Sequence, residues 1–168
     1  EERSILARLA YQLEPPVITF TDGPVELWGV RDASPEETTT FQESMAQYLQ
    51  ALSQLAEMEA ITAGYVDKPA ANLVVRLLEA ARAAPEDLAN IRRYQPLRGV
   101  TDKVLFRGLL APGERSAVFA LQSQSARSYP GPLALHFFYL NVGRLGRPWL
   151  ARVEIPAWVA EKPQELDA

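Results

Sequence analysis

The chain has 168 residues, 48% of them apolar and 23% charged, with no cysteine and a formal net charge of −4. That balance suits one globular domain and excludes a disordered chain, a disulfide framework and a thiolate metal site. No apolar run approaches the ~20 residues that span a bilayer, no basic-then-apolar leader opens the chain, and a cytoplasmic location fits.

Ile5, Leu6, Leu9, Ala10 and Leu13 recur at helical spacing, which predicts a short amphipathic helix over residues 1–13. Pro15-Pro16 stops it. Val17-Ile18-Thr19-Phe20-Thr21 is rich in β-branched and aromatic residues and reads as a buried strand. It breaks at Asp22-Gly23-Pro24, so a carboxylate projects from the strand's C-terminal tip, where open α/β sheets place ligands. Val25 to Val30 reads as a short strand or one helical turn.

Ser34-Pro35-Glu36-Glu37 opens a helix with a capping serine, an early proline and acids at the positive helix end. Phe41, Met45, Tyr48, Leu49, Leu52 and Leu55 give that helix one apolar face. Ala60 to Val66 is a second buried strand, ending at Asp67-Lys68-Pro69. The next helix is expected to turn Leu73, Val74, Leu77, Leu78 and Ala81 inward. Strand–helix–strand–helix order implies parallel strands joined by a right-handed crossover, with Asp22 and Asp67 at one sheet edge. Residues 85–100 read as a polar connection, and Asp102 to Leu110 as a short helix. Ser116–Leu121, Pro132–Val142 and Trp149–Ile155 read as strands, the last two forming a hairpin around the turn-rich Arg144–Pro148. Both ends read as cuts through a longer protein.

A protein that lives by phosphate contact usually carries a basic surplus, so the net charge argues mildly against DNA binding. Local groups point the other way: Arg92-Arg93, Arg98, Lys103 and Arg107, then Arg144, Arg147 and Arg152. Glu154 alternates with Arg152, which suggests a surface ion pair. His136 lies in an apolar run and reads as a neutral, hydrogen-bonded core histidine. Trp28, Tyr65, Tyr129 and Trp158 sit beside apolar neighbours and read as core, with base stacking as the alternative.

Five ordered stretches resemble the NurA family of DNA-end-processing nucleases: Thr21–Trp28, Ala63–Pro69, Gly113–Ser116, Phe137–Leu140 and Ala151–Val159. The resemblance implies a single NurA-like domain over residues 1–168, a partial one, with an RNase H-like mixed sheet flanked by helices. It implies Mn2+- or Mg2+-dependent cleavage of DNA ends by a homodimer docked on a HerA-type hexameric ATPase. The family's metal set is an Asp in an early Asp-Gly-Ser strand, a Glu on the following helix, an Asp in a second Asp-Gly turn and a late His. Asp22 matches the second Asp-Gly turn. Glu1 or Glu2 is nearest to the helical Glu, and Glu2 is taken for that role; Glu14 is too close to the strand. The Asp-Gly-Ser strand and the late His have no counterpart, and His136 stands too early. Two carboxylates hold two dications poorly, so the resemblance implies a catalytic and metal pair, Asp22 and Glu2, with weak or no activity. Lys68, Arg92 and Arg93 are the expected DNA contacts. Two rival readings stand beside it: a non-catalytic RNase H-like module that binds a partner ATPase, and an unrelated α/β domain.

Overall fold

The structure, a computed structural model, describes residues 2–28 and 34–166. Its elements run α1 (Glu2–Ala10), β1 (Ile18–Asp22), α2 (Pro35–Glu57), β2 (Ile61–Val66), α3 (Leu73–Arg82), α4 (Pro85–Leu88) and α5 (Asp102–Phe106). They continue with β3 (Phe119–Ala120), β4 (Leu135–Asn141), β5 (Leu150–Pro156), α6 (Ala157–Ala160) and α7 (Pro163–Leu166), with 3-10 turns at Ser125–Ser128 and Gly131–Leu133. One five-stranded mixed sheet, in the order β1-β2-β5-β4-β3, is flanked by helices. β1 and β2 are parallel neighbours, Asp22 lying opposite Tyr65, and β3 is antiparallel to β4. Two compact units are distinguished along the chain: Glu1–Val66 with Val118–Phe138 and Val153–Ala168, and Asp67–Ala117 with Tyr139–Arg152.

The expected helix opening at Ser34 forms a full capping box. The Glu37 N–H donates to Ser34 Oγ at 3.3 Å and the Ser34 N–H donates to Glu37 Oε2 at 2.7 Å. Two of the four donors left open at a helix start are thereby satisfied. Met45, Ala51, Leu52 and Leu55 of α2 are buried in the core of the first unit.

α1 and α3 turn differently from their apolar spacing. α1 buries Arg3, Ala7 and Ala10, while its Ile5 and Leu9, and Leu13 beyond its end, face solvent. α3 buries Val74, Val75 and Glu79 and exposes Leu77 and Leu78. In each case a charged side chain is buried against polar partners. Arg3 Nη2 donates to Thr21 Oγ1, and Glu79 pairs with Arg76. β1 is inverted in the same way: Thr19 and Thr21 are buried, whereas Ile18 and Phe20 are 68% and 56% exposed. Thr19 and Thr62 hydroxyls meet across the strand pair at 2.9 Å.

β5 is buried along its whole length, as a central strand covered on both faces should be. β3 is shorter than the expected strand, with one bridge outside it, Arg115 to Leu140. Residues 25–28 form no regular element, and the remainder of the stretch expected as strand or helical turn, from Gly29, lies outside the described residues.

Candidate functional site

Asp22 stands at the C-terminal end of β1 with its side chain exposed. Strand alternation puts it on the face of Ile18 and Phe20, whereas Thr19 and Thr21 face α1. The chain then turns at Gly23, whose φ of +113° is open to glycine and strained for other residues. The Gly23 N–H donates to Tyr65 O at 2.8 Å. Gly64 lets this turn approach: a Cβ there would lie 2.6 Å from Gly23 O and 2.8 Å from Val25 N.

A buried polar network holds the turn from below. Glu154 on β5 is fully buried, and its Oε2 accepts the Val25 N–H at 2.9 Å and the Glu26 N–H at 3.2 Å. The Tyr48 hydroxyl donates to Val25 O at 2.6 Å, and the Leu27 N–H donates to Tyr129 Oη at 2.8 Å. The Glu26 carboxylate, also buried, accepts from Ser125 Oγ at 2.6 Å and from Ser123 Oγ. Burial, first of all, pushes the Tyr48 phenol above its usual range; Arg3 opposes the rise and the charge of Glu154 adds to it. Tyr129 is pushed up likewise, again chiefly by burial. The surface ion pair expected for Glu154 and Arg152 is thus corrected: both are buried in the central strand. A central strand leaves no solvated face, and backbone amides of Val25 and Glu26 help to compensate the Glu154 carboxylate.

Glu2 lies exposed in the first turn of α1. Its neighbour Arg3 is buried, reaches Thr21 beside Asp22, and lies 6.0 Å from the Tyr48 ring centroid. The start of α1 is therefore held against the end of β1, although Arg3 engages the face that Asp22 does not share. His136 is half-buried on β4 rather than a full core residue, with Nδ1 3.1 Å from Ala134 O. Tyr129 and Trp158 are core residues as expected, and Trp158 Nε1 donates to Ala60 O at 2.9 Å. Trp28 is exposed instead, and Tyr65 is half-buried with its ring 5.9 Å from that of Phe20.

In the second unit, Lys68, Arg92 and Arg93 are all exposed. The segment carrying the two arginines is latched to α3 by Arg76, which donates to Tyr94 O at 2.6 Å and to Ile91 O. Glu79 accepts the Leu97 N–H at 2.7 Å. Asp102 is fully buried and caps α3 from outside it, accepting the Val74 N–H at 3.0 Å and the Val75 N–H at 2.8 Å. Asn72, the residue at the N-cap of α3, makes no side-chain capping bond. Tyr139 donates its hydroxyl to Asp102 at 2.8 Å. Trp149, overlooked when aromatics are read for apolar neighbours, is exposed and donates Nε1–H to Asp67 Oδ1 at 2.9 Å.

Asp22 and Glu2 offer hard oxygen donors, the chemistry that Mg2+ and Mn2+ prefer. Among the described residues no group of three or more His, Asp or Glu side chains converges as a metal cage. No helix among the described residues is long and apolar enough to cross a membrane.

A mixed sheet with parallel β1 and β2, flanking helices and an acid at a strand tip defines an RNase H-like α/β protein. The chain belongs to the NurA family: the NurA domain profile matches residues 2–168. Nucleases of this family process DNA ends, generally depend on divalent metal and generally work with a HerA ATPase. Neither the curated proteins nor the solved structures compared with the chain include a match.

Proposed function

We propose that the chain is a metal-dependent deoxyribonuclease domain acting on DNA ends in double-strand-break repair, beside a HerA-type hexameric ATPase. In this reading residues 1–168 form one NurA-like domain that works as a homodimer in the cytoplasm. The observation that carries it is the exposed carboxylate of Asp22 on a turn fixed by Glu154, Gly64 and Tyr65.

Asp22 and Glu2 would hold Mn2+ or Mg2+, which would supply charge stabilisation at the phosphate undergoing hydrolysis. Glu2 stands at the start of α1 and Asp22 at the tip of β1, so a cation shared by both would sit beyond the strand tip. Lys68, Arg92 and Arg93 would meet phosphates as exposed point charges and forks. Two carboxylates fill a small part of a dication's shell, so cleavage by this chain is weak or absent.

That sparse donor set favours a second reading, a non-catalytic RNase H-like module that binds a partner ATPase. End-labelled DNA incubated with the chain and Mn2+ separates the two. Slow shortening that disappears in Asp22→Asn and with chelator supports the nuclease. No shortening, together with retention on a HerA-type hexamer, supports the module.

A further inference from the structure

Charge is divided unevenly along this chain. The unit formed by Asp67–Ala117 and Tyr139–Arg152 carries twelve Lys and Arg against six Asp and Glu, a surplus of six positive charges. The remaining segments carry five against fifteen. The basic unit also consumes several of its own acids internally. Asp102 and Glu79 are buried on backbone amides, and Asp67 accepts the Trp149 indole N–H. Its cations, by contrast, are mostly exposed.

Within this unit, the connection between β4 and β5 is built as a rigid projection. Asn141, itself buried, accepts the Gly143 N–H and the Trp149 N–H, each at 3.0 Å, on one side-chain oxygen. Its amide nitrogen donates to Leu110 O at 2.9 Å. Arg144 and Arg147 close the turn through a backbone bridge with N···O distances of 3.1 and 2.8 Å. A Cβ at Gly143 would lie 2.4 Å from backbone atoms of Arg147 and Trp149, so the turn folds back tightly there. The result presents Leu145, 92% exposed, between two exposed arginines. Trp149 follows, 44% exposed, its indole orientation fixed by Asp67 and its ring 5.8 Å from Lys103 Nζ.

An accessible aromatic ring flanked by cations and an apolar tip is the combination that holds unpaired nucleotides. Bases of any sequence stack on the ring and cations track the phosphates. An acidic protein face would also satisfy the charges, and the DNA-directed reading above favours the nucleotide strand. We propose that the Arg144–Arg147 turn and Trp149 form a subsite for a single-stranded DNA end, Trp149 stacking on an unpaired base and the two arginines taking flanking phosphates. This inference rests on the DNA-directed reading above, and it concerns binding rather than cleavage.

The test uses the full chain in chelator, so that nothing is cut, with a fluorescent oligothymidylate of about ten nucleotides. Trp149 is one of three tryptophans, and its emission is expected to be quenched as the strand binds. Trp149→Leu should remove that quenching and weaken binding about ten-fold or more, while Trp149→Phe retains most of the affinity. Arg144→Ala with Arg147→Ala should lower the slope of log affinity against log salt by about 0.7 for each phosphate that is no longer neutralised. Urea denaturation of each variant identifies any that fails to fold, and Trp149→Phe supplies the comparison if Trp149→Leu does. Single-strand binding with unchanged affinity and quenching in the Trp149 variants, or an unchanged salt slope in the arginine variant, overturns the subsite and leaves the nuclease reading standing. Absence of any DNA binding at low salt overturns both. A change in self-association rather than in DNA binding on substituting the turn also overturns the subsite, and assigns the basic unit to an acidic protein face.

Discussion

Glu154 Oε2 accepts the Val25 N–H at 2.9 Å from a position closed to solvent, joining the central strand to the loop that leaves Asp22. A carboxylate buried here is compensated by two successive amides, and removing it leaves both amides buried without an acceptor. Such losses are worth about 1–3 kcal/mol per group. Glu154→Ala is therefore expected to lower stability to urea by about 2–5 kcal/mol. Glu154→Gln, which keeps an acceptor oxygen, should cost less. Equal effects of the two substitutions would contradict the bond.

Gly64→Ala addresses the same turn from the other strand. Its added methyl meets backbone atoms of Gly23 and Val25, which cannot rotate away as a side chain could. A loss of about 1–3 kcal/mol is expected, with the Asp22 backbone displaced. Wild-type stability, with unchanged amide chemical shifts at residues 22–25, would contradict the close approach.

Asp102 is the second buried acid with a structural task. Asp102→Ala uncaps α3 and frees the Tyr139 hydroxyl, which should cost about 2–4 kcal/mol in urea denaturation. Tyr139→Phe leaves the two α3 amides paired and should cost about 1 kcal/mol. A reversed order would show that the phenol, rather than the helix cap, is the dominant partner.

Burial, ahead of every other cause, raises the phenols of Tyr48, Tyr129 and Tyr139 above their ordinary value of 10.0. For Tyr139 the hydrogen bond and charge of Asp102 add to the rise. A raised folded value means that the native state favours the protonated phenol. The stabilisation is complete below pH 10 and is lost as pH climbs from there through the folded values. In an ultraviolet titration the phenols of Tyr48, Tyr129 and Tyr139 should resist ionisation above pH 10 while the chain stays folded. A Tyr→Phe variant of any of the three that removes an ordinary ionisation near pH 10 from the folded chain would contradict this.

Acid pH acts at α2 with the opposite sign. The Ser34 backbone N–H, and then its hydroxyl, hold Glu37 below its usual 4.5. That contribution is present above pH 4.5 and is lost as pH falls through the lower folded value. Glu37→Gln should flatten the acid limb of helicity measured by circular dichroism. An unchanged limb would show that the capping box adds nothing to the pH response.

The sequence made some of this legible for identifiable reasons. The α2 start lies within four residues, Ser34 to Glu37, so its capping chemistry is local. β1 and β2 carry β-branched residues between clear breakers, and their parallel pairing follows from the helix between them. The orientations of α1 and α3 were hidden because Arg3 and Glu79 are buried by distant partners, Thr21 and the Leu97 amide. Glu154 misled for the same reason: its amide partners lie 129 and 128 residues away in sequence. At the candidate site, Asp22 was legible as a strand-tip acid. Its position relative to Glu2 depends on strand alternation, which short spacing on a helix does not report. The basic surplus of one unit was masked by a net charge of −4, because that unit is assembled from two separated segments.

The central claim is that Asp22 holds a divalent ion at the rim of the sheet, and calorimetric titration with Mn2+ tests it most directly. The wild-type chain is expected to bind one ion in the range of about 0.1–1 mM, as a site with few charged ligands does. Glu2→Gln should weaken that binding, and Asp22→Asn should abolish it without loss of fold. Isotherms that coincide for wild type and Asp22→Asn, or no heat at millimolar Mn2+ with the native chain, would contradict the account.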